Sequence, residues 1–265
     1  TRSWYYKYKS RGPTKRQRED QSFMLRIKAI FEESGKTYGA GRIAKKLRDE
    51  DIRVGKNRVH RLMRANGLKV KTTKRFKVTT NSDHKRPVAP NLVNQNFTAE
   101  APDRLWTGDI TYIWTAQGWL YLAVVLDVYS RRIVGWSMNR RMTDDLVVTA
   151  FKNALARRNP LSGLIFHSDR SSQYCSKRFR ALVKGSGGEQ SMSATGCCYD
   201  NAITESFFGT LKRELVHQCL FVTRQAAQSR IFSYIEGFYN RKRIHSAFDY
   251  LSPEQFEERL LKMAA

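Results

Sequence analysis

The feature that most restricts the fold is an uninterrupted apolar run of eight residues, Trp119 to Leu126. This run is far shorter than the roughly 20 residues that a helix needs to cross a bilayer, so a membrane span is excluded. Successive side chains of a strand point to opposite faces, so a strand that is apolar throughout must be covered on both faces. The run therefore predicts an interior strand of a sheet with a layer packed on each side.

The segment before this run alternates in the manner of a strand. Over Leu105–Trp114, one face carries Trp106 and Trp114 and is expected to be core, while the other face displays the carboxylate of Asp109. A third strand, Ile133–Met138, is predicted to follow the apolar run, giving three antiparallel strands. Helices and further strands then alternate: a helix capped by Thr143, Leu164–Phe166, a helix around Phe179, and Gln190–Ser193. This order predicts an α/β fold with a mixed sheet.

Charge points to a polyanion as partner. The chain has 48 Lys and Arg against 24 Asp and Glu, a net charge of +24, and residues 1–100 hold 26 of the basic but only 9 of the acidic side chains. A basic solubilising surface is the alternative, but it does not explain so uneven a distribution. The N-terminal third is therefore the expected electrostatic anchor.

Three short helices are predicted near the N-terminus, after a basic arm of residues 1–20. They lie over Gln21–Ser34, after Gly39-Ala40-Gly41, and over Asn57–Asn66 with Asn57 as N-cap. Residues 21–69 thus resemble a helix-turn-helix segment whose last helix lies in the major groove of DNA; a generic three-helix bundle with a solvated basic face is the alternative. The expected DNA contacts are Arg42, Lys45, Lys46, Lys56, Asn57, Arg58, Arg61 and Arg64.

A basic stretch over residues 70–102 loses all periodicity and is predicted to be a linker. Its side chains Lys71, Lys74 and Arg75 either follow a phosphate backbone or belong to a simple tether. The catalytic domain is expected over residues 103–265.

Three carboxylates are candidates for one site. Asp109 lies on a predicted strand, and Asp169 follows the short strand Leu164–Phe166, in the sequence His167-Ser168-Asp169. Glu205 lies on a helix predicted over Asn201–Leu215. If that helix packs across the sheet, the three converge, and they repel one another unless a cation neutralises them. Hard oxygen ligands suit Mg²⁺ or Mn²⁺, and two such ions support displacement at phosphorus. The Cys and His residues lack zinc-site spacing, and Asp127 is expected to be a structural cap or a salt-bridge partner.

At these residues the sequence resembles bacterial insertion-sequence transposases of the DDE type, in particular the second-reading-frame product of the IS-three family, whose catalytic core is similar to retroviral integrases. Thirty-five residues separate Asp169 from Glu205, the gap typical of this class. Ser171 departs from the family, which usually has glycine there. The matching motifs are Trp106–Tyr112, His167–Asp169, Gln173–Tyr174, Tyr199–Lys212, Tyr38–Ala44, Val54–Val59, and Tyr239–Pro253 in part.

The resemblance implies an RNase H-like (integrase) fold with a five-stranded mixed sheet. It implies that Asp109, Asp169 and Glu205 are catalytic and hold two Mg²⁺ or Mn²⁺ ions, and that Lys212 contacts the element's end. Arg241, Arg243 and His245 are further expected DNA contacts.

The expected reaction is cleavage and strand transfer at insertion-sequence ends. The expected partners are double-stranded DNA, as terminal inverted repeats and target, and a second copy of the chain in a homodimer or larger assembly. The expected location is the bacterial cytoplasm, on the nucleoid. Two alternatives are a nuclease of the same fold that never joins strands, and a catalytically silent DNA-binding regulator.

Overall fold

The computed structural model describes residues 2–70, 87–194 and 202–264. The chain divides into two units, residues 1–72 and residues 73–265. Lys71, Lys74 and Arg75, three of the expected DNA contacts, lie outside the described residues, as does Asn201. Within the described parts of the chain, every helix is too short or too polar to cross a lipid bilayer.

The described part of the N-terminal unit consists of helices. Their apolar positions recur at helical spacing, so each helix buries one stripe against the others; the buried side chains include Ile27, Phe31, Ile43, Leu47, Val59 and Leu62. The predicted three helices are confirmed, as α2 to α4. The bounds are α1 (Arg2–Lys9), α2 (Lys15–Glu33), α3 (Ala40–Asp49) and α4 (Lys56–Ala65).

Two details of the prediction for this unit are wrong. Residues 1–20 contain α1 and the start of α2, which begins after Thr14 because the Thr14 hydroxyl accepts the backbone N–H of Gln17 while the Gln17 side chain accepts the N–H of Thr14. Asn57 does not cap α4. The capping position is Gly55, and Asn57 lies in the first turn with its side chain exposed.

The second unit contains a five-stranded mixed sheet, as predicted. In spatial order the strands are β3, β2, β1, β4 and β5, with the first three antiparallel and β4 parallel to both β1 and β5. The strand bounds are β1 (Leu105–Thr115), β2 (Gly118–Asp127), β3 (Ile133–Asn139), β4 (Ile165–Ser168) and β5 (Glu189–Met192).

Helices cover both faces of the sheet. The helices that follow β3, β4 and β5 are α5 (Asp144–Arg158), α6 (Lys177–Gly185) and α7 (Ala202–Glu214). After them come a 3₁₀ turn (Val216–Gln218), α8 (Arg224–Phe232), a π-helical segment (Ser233–Tyr239), a second 3₁₀ turn (Ser246–Phe248) and α9 (Pro253–Ala264).

The apolar strand β2 is interior, as predicted. Leu122 and Val124 face the layer that includes α7 and α8, whereas Ala123 and Val125 face the layer of α5 and α6. On the second face α5 approaches β3 closely: a Cβ added to Gly135 would lie 2.3 Å from the carbonyl oxygen of Ala150. Only glycine permits that distance.

The prediction that the face of β1 with Trp106 and Trp114 is core is only partly confirmed, because Trp106 is fully buried whereas Trp114 is 60 % exposed. Thr107 and Thr111, on the Asp109 face, are also buried, and Thr107 is bonded to Thr204 of α7. Part of the predicted linker also packs on this unit. Pro90 accepts a hydrogen bond from the backbone of Met192, and the Leu92 N–H donates to the Ser191 hydroxyl.

Candidate active site

The register of two parallel strands brings the first two carboxylates together. The pairing of β1 with β4 ends at Gly108 and Ser168, and the next residues are Asp109 and Asp169. Because neighbouring strands lie about 4.8 Å apart, Asp109, within β1, and Asp169, just after the end of β4, lie side by side where this pairing ends. Both side chains are partly buried.

Tight packing beneath Asp109 fixes this edge. A Cβ on Gly108 would lie 2.4 Å from Cζ of Phe166 and 3.1 Å from the hydroxyl oxygen of Tyr174. Only glycine therefore fits at position 108 without displacing its neighbours. The rings of Phe166, Tyr174 and Phe179 contact one another and hold the phenol against β1.

Glu205 reaches this edge on α7. The helix buries Ile203, Phe207 and Leu211 against the sheet. The Thr204 hydroxyl donates to Oγ1 of Thr107 at 2.8 Å, and both threonines are buried. Because Thr107 is two residues before Asp109 and Thr204 is next to Glu205, this bond sets the position of the helix carboxylate relative to the strand carboxylate.

The three carboxylates act on one another electrostatically. Burial raises the pKa of Asp109 well above its usual value, and the charges of Asp169 and Glu205 raise it further. The Ile110 N–H, 2.7 Å from Oδ1 of Asp109, and the Lys212 charge oppose this rise in pKa only in part. Desolvation and the charge of Asp169 also raise the pKa of Glu205.

Tyr174 is a site residue to which sequence reasoning assigned no role. Its side chain is buried, and burial together with the charges of Asp109 and Asp169 raises the pKa of its phenol well above the usual value. The motif Gln173–Tyr174 was a signal for it, but only the fold brings the phenol beneath Gly108. Ser171, the departure from the family, donates its backbone N–H to Oδ1 of Asp169 at 3.0 Å.

Lys212 is buried, with 8 % of its surface exposed, and is not a solvated helix residue. Its Nζ lies 5.0 Å from the ring centre of Tyr112. Burial lowers the pKa of its ammonium, and the carboxylate of Asp109 offsets part of that change. The Lys212 ammonium is thus held near Asp109.

The prediction that Arg243 contacts DNA assumed an exposed side chain and is wrong, because the side chain is buried. Its guanidinium donates to both carboxylate oxygens of Glu214, with Nη2 2.9 Å from Oε1 and Nε 3.0 Å from Oε2. This ion pair was missed because Glu214 does not stand out in sequence and lies 29 positions from Arg243. His245 is partly buried, 3.3 Å from the same guanidinium, and Arg241 is exposed with Glu254 at 3.6 Å.

The basic residues of the N-terminal unit differ in their availability. Arg58 is half-buried and bonded to Glu19 and Asp20, and Arg61 is exposed but also bonded to Asp20. Arg42 lies over the ring of Tyr38, and Lys45 pairs with Asp49. Lys46 is partly exposed, whereas Lys56, Asn57 and Arg64 are fully exposed along α4.

The donor chemistry of the site suits a hard divalent cation, since its ligands are carboxylate oxygens. A cation bound there would reduce the repulsion among these carboxylates. In residues 2–70, 87–194 and 202–264, however, no three His, Cys, Asp or Glu side chains are grouped closely enough to enclose an ion.

The fold and the carboxylate edge define an integrase core of the RNase H-like class, joined to a helix-turn-helix-like unit. Models of the integrase core domain match residues 99–198 and 205–261, and a model of an HTH-like domain matches residues 17–76. A solved chain of the simian T-cell lymphotropic virus intasome in complex with PP2A regulatory subunit B56 gamma has the same fold. It aligns with a TM-score of 0.51 and 14 % identity, over 77 % of this chain and 67 % of that one.

Relatives at the level of sequence narrow the class. The transposase for insertion sequence element IS904 of Lactococcus lactis is 46 % identical, over 94 % of this chain and 98 % of that protein. Transposase InsF for insertion sequence IS3A of Escherichia coli is 44 % identical, over 89 % and 82 %. The chain belongs to the IS3 family of insertion-sequence transposases, and it is a DDE transposase, a polynucleotidyl transferase.

Proposed function

We propose that this transposase cuts one strand of DNA at each end of its element and joins the freed end to target DNA, using Asp109, Asp169 and Glu205 as its catalytic carboxylates. The observation that carries this assignment is the gathering of three like charges at one sheet edge, a costly arrangement that a packed core gives no reason to keep. Two ions of Mg²⁺ or Mn²⁺, held by these oxygens, would activate the attacking oxygen and stabilise the leaving one.

Each carboxylate has a positioning element. Asp109 is oriented by the Ile110 N–H and Asp169 by the Ser171 N–H. Glu205 is carried by α7, whose register depends on the hydrogen bond of Thr204 to Thr107. In the proposed sequence of steps, water first attacks the phosphate at the element's end, and the freed 3′-hydroxyl then attacks the target strand.

Lys212 is our candidate for contact with the phosphate beside the scissile bond. Its position between Asp109 and Tyr112 supports this role. A cation there offsets the negative charge of carboxylates and DNA together.

The strand-transfer activity separates this function from hydrolysis alone. We expect pre-cleaved element ends, incubated with the full chain, plasmid target and Mg²⁺, to yield joined product, and none in EDTA. Cleavage without any joined product would indicate a nuclease, and neither activity at any Mg²⁺ or Mn²⁺ concentration would indicate a regulator.

The N-terminal unit is proposed to bind the terminal inverted repeats, with α4 in the major groove. Lys56, Asn57 and Arg64 support this role because they are exposed along one short helix. We also propose Arg42, Lys45, Lys46, Arg61, Lys71, Lys74, Arg75 and Arg241 as contacts with the phosphate backbone.

The dependence of binding on salt tests these contacts. Log affinity falls with log salt by about 0.9 per neutralised phosphate in duplex DNA, so Arg64→Ala should reduce that slope by about 0.9. Lys28→Ala is the matched control, because Lys28 is exposed on α2 and is not among the expected contacts, so its removal should leave the slope unchanged. Equal slopes for wild type and Arg64→Ala would contradict the assignment.

Joining two ends of one element requires both in one complex, so the active form is proposed to be a homodimer or larger assembly on DNA. Light scattering of the complex with end DNA should give at least two protomers. A complex with one protomer would contradict this. The proposed DNA partner also implies a location on the bacterial nucleoid, in the cytoplasm.

A further inference from the structure

Three aromatic side chains lie outside the packed core on the β1–β2 hairpin. Trp114 and Trp119 are directly opposite on the two strands, with 60 % and 43 % of their surfaces exposed. Their ring centres are 4.8 Å apart, and the ring of Tyr112 lies 5.1 Å from that of Trp119. Exposed tryptophans that contact each other leave a continuous aromatic surface in water, a feature typical of binding sites. We call these three residues the hairpin cluster.

The hairpin is held in place from outside the sheet. The start of α8 reaches its tip, where Nε of Arg224 donates to the carbonyl of Trp119 at 3.0 Å and the Arg224 N–H donates to the side chain of Gln117. The Ala116 N–H donates to the carbonyl of Phe221 at 2.9 Å. The aromatic rings are thus presented on an anchored turn, which lowers the entropic cost of binding a ligand.

The hairpin cluster lies on the strand that carries Asp109, but the side chains of Tyr112 and Trp114 leave β1 on the face opposite that of Asp109, so a DNA strand would pass from one face to the other across the edge of β1 beyond Gly108. At about 3.4 Å per residue, Tyr112 lies roughly 10 Å and Trp114 roughly 17 Å further along β1. In the described residues, β4 pairs with β1 only as far as Gly108, so β4 does not cover this part of the β1 edge. The Lys212 ammonium connects the two places, since it lies over Tyr112 and acts on Asp109.

We infer that the hairpin cluster is a stacking site for an unpaired base of the DNA strand that enters the Asp109 site. This inference rests on the proposed function, because it needs a DNA strand at Asp109. Every base has a π-face, and stacking on aromatic side chains favours single-stranded over paired bases, whose faces are covered. At about 3.4 Å per nucleotide, the distances place that base about three to five positions from the scissile phosphate.

Charge favours a base over an apolar protein surface as the occupant. The side chains beside the rings include Lys212 and Arg224, and the chain carries a net charge of +24. Cations beside aromatic faces match a nucleotide, which has a π-system and a phosphate together. A second copy of the chain would have to bury these cations against a surface that is itself basic.

The test compares two duplexes of the element's end, one fully paired and one with three mismatched pairs placed three to five positions from the scissile phosphate. Binding is measured in EDTA, so that no strand is cut. We expect the wild type to bind the mismatched duplex about tenfold more tightly, which corresponds to about 1.4 kcal/mol. The double variant Trp114→Ala with Trp119→Ala should bind both duplexes equally.

Controls separate stacking from other effects. Phe232→Ala removes an exposed aromatic ring on α8 and should keep the tenfold preference. Trp114→Phe retains an aromatic face and should keep most of it, while the melting temperature of each variant verifies the fold.

Three results would overturn the inference: no preference in the wild type, an undiminished preference in the double variant, or a double variant that changes only the number of protomers. The last result would make the cluster a protein interface. Wild-type joining activity in Mg²⁺ is measured in parallel. Joined product without a preference for mismatched DNA refutes the stacking site alone, whereas no joined product refutes the proposed function.

Discussion

Two polar clusters of the catalytic unit are built in opposite ways. Where the pairing of β1 with β4 ends, Asp109, Asp169 and Glu205 bring like charges together, and the pKa values of Asp109 and Glu205 are raised. At the other end of α7, Glu214 accepts three hydrogen bonds from the buried guanidinium of Arg243 and a fourth from the hydroxyl of Tyr234 at 2.7 Å. The second cluster pairs opposite charges, whereas the first brings charges of one sign together.

This difference distinguishes structure from function. A buried charge with a complete set of partners stabilises the fold as long as the set stays intact. Charges of one sign held together cost stability and are kept where chemistry needs them. The sequence alone did not separate structural charges from functional ones, because Arg243 and Asp109 are both charged residues within family motifs.

The largest expected effect on stability comes from breaking the ion pair of Arg243 and Glu214. Arg243→Met leaves Glu214 buried without its cation, which should lower the free energy of unfolding by about 3–5 kcal/mol. Arg241→Met is the matched control, because Arg241 is exposed, and its effect should stay within about 0.5 kcal/mol. Thermal unfolding of both variants measures the difference. Equal losses would show that Glu214 does not depend on Arg243.

The packing beneath the carboxylates comes next. Gly108→Ala drives a methyl group into the Phe166 ring and should destabilise the fold by about 1–3 kcal/mol. Gly209→Ala is the opposite case: it lies inside α7 with open space around it, so alanine should stabilise the helix by about 0.5–1 kcal/mol. Denaturant midpoints compare the two variants. An unchanged midpoint for Gly108→Ala would mean that the Phe166 ring moves aside to make room for the methyl group.

The cluster of Asp109, Asp169 and Glu205 should become more stable when one of its charges is neutralised. Asp109→Asn keeps the shape of the side chain and removes one of three repelling charges. We expect the free energy of unfolding at pH 7.5, without divalent metal, to rise by about 1 kcal/mol. Differential scanning calorimetry measures it. A loss of stability would mean that Lys212 satisfies Asp109 in full.

That gain should also depend on pH. Because the folded-state pKa of Asp109 is raised, its protonated form favours the fold below the unfolded pKa of about 3.9, and this contribution is lost as pH rises through the folded value. The advantage of Asp109→Asn should therefore be largest near pH 8 and shrink toward pH 5. Melting temperatures of both proteins across this range follow the trend, and a constant difference would exclude the titration of Asp109 as its cause.

Much of the catalytic unit was predictable from sequence because strand periodicity is local. The apolar run of β2 and the positions of Asp109 and Asp169 follow from alternation and from the ends of strands. Asp127 was also predicted correctly as a structural cap, since its carboxylate accepts the backbone N–H groups of Ser130 and Asp103.

The errors have a common cause in contacts between distant segments. The burial of Arg243 depends on Glu214, 29 residues away. Trp114 is 60 % exposed in the part of β1 that continues beyond its pairing with β4, a length that alternation does not reveal. The phenol of Tyr174 reaches Gly108 through the packing of three rings, for which the sequence offers only a motif.

The central claim is that three carboxylates from separate elements act as one catalytic group. Asp109→Asn, Asp169→Asn and Glu205→Gln should each reduce strand transfer in Mg²⁺ by at least about a thousandfold, or 4 kcal/mol of barrier. Binding to end DNA should be retained in all three. Asp145→Asn, which neutralises an exposed carboxylate on α5, should leave strand transfer unchanged. Strand transfer within tenfold of wild type in any one of the three variants would contradict the account.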